Sequence, residues 1–138
     1  MSALPVFDAA WTAVPETVPA ARHAVLGHLR DATTDPPLSD IGLAVSEAVT
    51  NVVHHAYRED SSPGSVRVRV EVRPTEVEVM VEDDGLGMVP RPDTPGMGLG
   101  MPLIATVASR FDVRSAPRGG TRLCIWFETD PSKSTLPA

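Results

Sequence analysis

Lysine is nearly missing from this chain. Of 138 residues only Lys133 is a lysine, and it sits in a polar stretch close to the end. That excludes a Walker A loop, which needs a lysine at the phosphates, and a eukaryotic-type protein kinase, which needs one on a strand. A nucleotide bound here would have to be held by backbone amides, a metal ion and arginine. Cysteine is equally scarce. The single Cys124 excludes an internal disulfide and a cysteine-built zinc site, and it reads as a residue packed in a strand. A reducing cytoplasm is the simple expectation. No apolar run is long enough to span a bilayer, and no signal peptide opens the chain. Positive charge is in short supply too. The formal net charge of −6 disfavours direct nucleic-acid binding and anionic membranes.

What is present is enough for one folded domain. The chain is 42% hydrophobic and 22% charged, and its length suits a single core. Residues 4–11 read as an edge strand, with Pro5 suited to an edge. A helix is expected from about Pro19 to Arg30, with Ala21, Val25 and Leu29 on one face. A second is expected from about Asp40 to Tyr57, with Ser39 as N-cap and Leu38 stapled to Leu43. Val66, Val68, Val70 and Val72 alternate with Arg67, Arg69, Glu71 and Arg73. Val77, Val79 and Val81 alternate in the same way with Glu76, Glu78 and Glu82. Such alternation means strands with one wet and one packed face, joined here by a hairpin at Arg73-Pro74-Thr75. A proline-rich loop over 88–97, a short helix over 102–110 and strands over 111–115 and 121–128 complete the order. Antiparallel strands with helices gathered on one face give an α+β fold, a two-layer sandwich. Residues 1–128 form the domain in this reading, and 129–138 a flexible tail.

Three constellations carry chemistry. Glu47, Asn51 and His55 are spaced four apart and so share a helix face at the rim of the apolar stripe. Asn51 can offer its side-chain oxygen to a magnesium ion on phosphates, and Glu47 can take a proton from a hydroxyl. A plain solvated helix face fits the same spacing. Asp83 continues the Val77, Val79, Val81 series, so its parity points it at the core. A carboxylate there needs a partner, and the exocyclic amine of adenine is a suitable one. Gly85 and Gly87 would let the chain turn and make room for a flat base. The plainer reading, an ordinary Asp-Gly turn, is disfavoured by parity, since a turn carboxylate has no reason to share the valine face. Gly96, Gly98 and Gly100 open a helix whose free amides favour an anion such as phosphate. Thr121 follows Gly119-Gly120 and fits either a contact near the base or a plain strand position. The pair His54-His55 points in two directions and has no further His or Cys partner, which argues against zinc.

These residues resemble a known family. Glu47-Ala48-Val49-Thr50-Asn51 looks like the N box of the GHKL ATPase superfamily. Asp83-Asp84-Gly85-Leu86-Gly87 looks like its G1 box, and Gly96-Met97-Gly98-Leu99-Gly100 like its G2 box. Ser46 to Asn51, His55-Ala56-Tyr57 and Gly98-Leu99-Gly100-Met101-Pro102-Leu103 are similar to the small bacterial anti-sigma-factor serine kinases of the RsbW-like type. The resemblance covers about residues 5–128. It implies the Bergerat sandwich, ATP and Mg²⁺ as cofactors, and Asn51 as the metal ligand. It implies Asp83 as the adenine ligand and Glu47 as general base for a seryl hydroxyl. His55, Gly85, Gly87, Gly96, Gly98, Leu99, Gly100, Met101 and Thr121 would then line the nucleotide, with 88–97 as the lid. The partners implied are a sigma factor and a STAS-type anti-anti-sigma factor, with the chain itself a homodimer. A partner-switching module that binds ATP without kinase activity is the alternative.

Overall fold

The structure is a computed structural model that describes residues 6–32, 36–56, 64–85, 100–116 and 119–129. The order is β1 (Val6–Thr12), α1 (Thr17–Ala32), α2 (Leu38–Asn51), a π-helical turn (Val52–Ala56), β2 (Ser65–Val72), β3 (Glu76–Asp83), α3 (Gly100–Val107), β4 (Arg110–Ser115) and β5 (Thr121–Glu128). The strands form one five-stranded sheet in the order β1-β2-β3-β5-β4. Every pairing is antiparallel. This is the expected α+β sandwich, with β3 at its centre.

The valine alternation sets the register. Val68, Val81 and Leu123 face one another across β2, β3 and β5, as do Val70, Val79 and Ile125. All six are fully buried, in one core with Ala21, Val25 and Leu29 of α1 and Ile41, Val45 and Ala48 of α2. The other face of the sheet carries ion pairs, among them Arg67 with Asp8 at 2.6 Å, Arg73 with Glu78 at 2.8 Å and Arg122 with Glu82 at 2.7 Å. Exposed pairs contribute about 0–1 kcal/mol each, whereas burying a valine contributes about 1.5–3 kcal/mol. The valine face therefore holds the layers together. Cys124 lies in β5 as expected and is buried although its parity is that of the charged face; burial pushes its thiol pKa up.

Several boundaries differ from the sequence reading. Helix α1 begins at Thr17, two residues early, and Pro19 sits in its first turn, where its missing N–H costs nothing. Ser39 is not the N-cap of α2. The helix starts at Leu38, Pro37 holds the cap position, and no side chain caps it. The physical reason is the Pro36-Pro37 pair. A residue before proline is kept out of the helical region, so the helix begins directly after the second ring. The Pro37 carbonyl accepts the first bond, from Ile41 N–H at 3.0 Å. Leu38 packs on the core while Leu43 stays exposed. At its other end the α-helix stops at Asn51 and one π-helical turn follows. Helix α3 starts at Gly100 rather than Pro102 and ends at Val107. The proposed lid over 88–97 and the tail lie outside the described residues, save Thr129, which follows β5. No helix among the described residues is long and apolar enough to cross a membrane.

Candidate functional site

At the end of the sheet where β3 stops and β5 starts, two polar side chains enter the core. Asp83 is 2% exposed, and Thr121, its direct partner across β3 and β5, is 1% exposed. The parity argument is met: the carboxylate shares the valine face. Parity does not exclude the turn, and the expectation that it would is corrected, because one carboxylate does both. Gly85 N–H donates to Asp83 Oδ1 at 3.0 Å, closing a tight turn just past the strand. One oxygen is thus spent on the turn. The other, Oδ2, is buried with no hydrogen-bond partner among the described residues.

Burial governs the electrostatics. It raises the Asp83 pKa from an ordinary 3.8 to about 6, against the pull of the Gly85 amide and, more weakly, the Thr121 amide, with the charges of Asp84 and Glu82 adding to the rise. A buried acceptor without a donor costs free energy, on the order of 1–3 kcal/mol. A ligand that brings an N–H to Oδ2 would recover it.

Helix α2 packs against β3 and brings the second group of candidates. Asn51, its last α-helical residue, is 7% exposed, and its side-chain Nδ2 is buried with no hydrogen-bond partner among the described residues. Half a turn about χ2 would place the amide oxygen there instead. The position can therefore serve a donor or a hard cation. Glu47 lies one turn earlier and is half-buried. Its neighbour Ser46 accepts a hydrogen bond from Arg22 Nη1 of α1 at 3.1 Å, which ties the two helices beside Glu47. The backbone of His55 lies in the π-helical turn and those of Gly100 and Met101 open α3; the side chains of His55 and Met101 are outside the described residues. Gly87, Gly96, Gly98 and Leu99 also lie outside them, so the phosphate-loop expectation rests on the sequence alone.

The sequence reading missed one contributor. Gly119 and Gly120 both adopt left-handed φ, +93° and +85°. Gly119 faces open space, whereas Gly120 lies directly against the Asp83–Asp84 backbone. The signal available was the Gly-Gly pair itself, which the sequence reading used only to place Thr121. A separate polar cavity of about 500 Å³ lies between Arg67, Glu82, Arg122 and Gly119. Register places Arg67, Glu82 and Arg122 on the charged face, so this cavity is at the back of Asp83 and not on the side of α2.

A two-layer sandwich with a buried acidic strand end, packed against a helix that carries Glu47 and Asn51, is the architecture of GHKL-type ATPase domains. A family model described as the histidine kinase-like ATPase domain matches residues 11–127, and the chain belongs to that family. Among its relatives is an anti-sigma F factor of Pasteuria penetrans, 38% identical over 80% of this chain and 82% of the relative. Another, from Clostridium novyi, is 35% identical over 64% of this chain and 68% of the relative. A third, from Shouchella clausii, is 28% identical and covers 91% of this chain and 93% of the relative. The resemblance stated from the N, G1 and G2 boxes is therefore borne out at the level of family.

Proposed function

We propose that this chain is an ATP-binding anti-sigma factor that phosphorylates a serine on an anti-anti-sigma partner of the STAS type. The observation that carries the reading is the unpartnered, buried Oδ2 of Asp83 beside Thr121. It is a ready acceptor for the 6-amino group of adenine, and the family match supports ATP as its source. Residues 1–128 are read as the domain. Asp83 holds and selects the base, with Thr121 at its side and Gly85 fixing the carboxylate. Asn51 holds Mg²⁺ through its amide oxygen, which suits an ion that takes few protein ligands. Gly96 to Gly100 and the start of α3 hold the phosphates, and His55, Gly87, Leu99 and Met101 complete the lining. ATP supplies the transferable γ-phosphoryl group. Glu47 accepts the proton of the seryl hydroxyl, a role worth about 10²–10⁴ in rate. Binding of a sigma factor is proposed from the names of the relatives.

The test is phosphotransfer. The purified chain is incubated with Mg-ATP and each STAS-domain protein of its own genome, and phosphoserine is sought by mass spectrometry. Phosphoserine on one of them, absent with Glu47→Ala, supports the reading. No phosphoserine on any, with ATP bound and a sigma factor still captured, would replace it with a partner-switching module lacking kinase activity.

A further inference from the structure

Gly120 stands in an unusual place. A β-carbon built on it would lie 2.5 Å from Asp84 Cα, 2.7 Å from the Asp83 carbonyl carbon and closer still to that carbonyl's oxygen. Non-bonded atoms do not approach so closely, so any side chain at 120 must push the Asp83–Asp84 peptide away by about half an ångström or more. That peptide joins the last residue of β3 to the turn that Gly85 N–H closes on Asp83 Oδ1. Its displacement swings the Asp83 carboxylate. Recognition sites need their groups held within about 0.5 Å.

We infer that Gly120 is a positioning residue for Asp83, and that its bare α-carbon sets which purine the site accepts. The inference rests on the proposed role of Asp83 in binding the base. Two features of Gly120 have to be separated. Its φ of +85° disfavours any L side chain, and a β-carbon added to it would collide with the Asp83–Asp84 backbone. Gly119 shares the first feature, with φ +93°, and lacks the second, since nothing lies within 4 Å of a β-carbon there. Gly119→Ala is thus a control for backbone strain.

The experiment titrates Mg-ATP and Mg-ITP, whose 6-oxo base has no amine to donate, into four proteins by calorimetry. The wild type is expected to prefer ATP by about tenfold or more, because a site built for a donor rejects an analogue without it. Asp83→Asn should lose that preference. Gly120→Ala should lose it too, with the two nucleotides within about threefold, while Gly119→Ala keeps the wild-type ratio. A folded Gly120→Ala with the wild-type ratio overturns the inference. So does an equal loss in Gly119→Ala, which would make strain the cause. If the wild type shows no preference, or Asp83→Asn retains it, the base-binding role of Asp83 fails and the inference fails with it. Should Gly120→Ala unfold at room temperature, the ratio is read at 5 °C with trimethylamine oxide, which favours the compact state. A variant still unfolded there makes Gly120 a folding residue and counts against the inference.

Discussion

Asp83 and Thr121 face each other across the ends of β3 and β5, and both are buried on the helix-covered side of the sheet. A carboxylate in that position is held against its own preference for water. Its raised pKa gives the first prediction, and the sign follows from proton counting. The folded state binds the Asp83 proton at a pKa of about 6, and the unfolded state near 3.8. Between those values the folded protein holds the extra proton, so stability falls as pH rises through the window. The full effect is on the order of 3 kcal/mol. Asp83→Asn removes it. Urea unfolding at pH 4, 5, 6 and 7 should show the mutant gaining on the wild type as pH rises, then staying ahead. Parallel curves would mean that Asp83 is not strained. Affinity for Mg-ATP should rise from pH 5 to pH 7 in the wild type, as the carboxylate ionises, and not in Asp83→Asn.

The start of α2 offers a test of a different kind. Were Ser39 the N-cap, Ser39→Ala would cost about 1 kcal/mol. With Pro37 in the cap position and Ser39 exposed inside the first turn, the substitution should change stability by less than about 0.5 kcal/mol. Thermal melts of the two proteins decide it, since a drop of several degrees would restore Ser39 to the cap.

Ser39 also shows where sequence stops being informative. The strands of the hairpin were legible because valine alternation at period two survives any tertiary context. Val68, Val70, Val79 and Val81 all lie where their parity puts them. Asp83 was legible for the same reason. Helix ends were not, because they depend on single residues. Pro36-Pro37 overrode a good capping serine, and the switch to a π-helical turn after Asn51 leaves no mark in composition. The Gly119-Gly120 pair marked a special backbone, but its approach to Asp83 joins residues far apart in sequence and is visible only in the fold.

Packing and charge should contribute very unequally. Ile125 is fully buried in β5 opposite Val79. Ile125→Ala should cost about 2–5 kcal/mol. Arg67 makes a bidentate contact with Asp8, but half of its side chain is exposed, and that carboxyl is held below its ordinary pKa mainly by this hydrogen bond. Arg67→Ala should cost at most about 1 kcal/mol, with the gap to wild type narrowing in 0.5 M salt. Chemical denaturation of both variants checks the ranking, and an arginine loss as large as the isoleucine loss would refute it.

Glu47 and Asn51 should separate chemistry from binding. Glu47 is half-buried, and nothing in the proposed base pocket depends on it. Glu47→Ala should therefore leave Mg-ATP affinity within about threefold while cutting phosphotransfer by about 10²-fold or more. Asn51 is different. Its amide nitrogen is buried and has no partner among the described residues, so the wild type already bears a desolvation cost there. Asn51→Ala removes that cost along with the metal oxygen, and the protein should stay folded with stability changed by no more than about 1 kcal/mol. Its affinity for ATP should no longer rise when Mg²⁺ is added, because the oxygen that would link ion to protein is gone. Calorimetric titrations with and without Mg²⁺, run beside a phosphotransfer assay, read both effects. If Asn51→Ala keeps the magnesium dependence, the ion is held elsewhere. If Glu47→Ala loses nucleotide affinity in step with transfer, Glu47 binds ATP and does not act as the base.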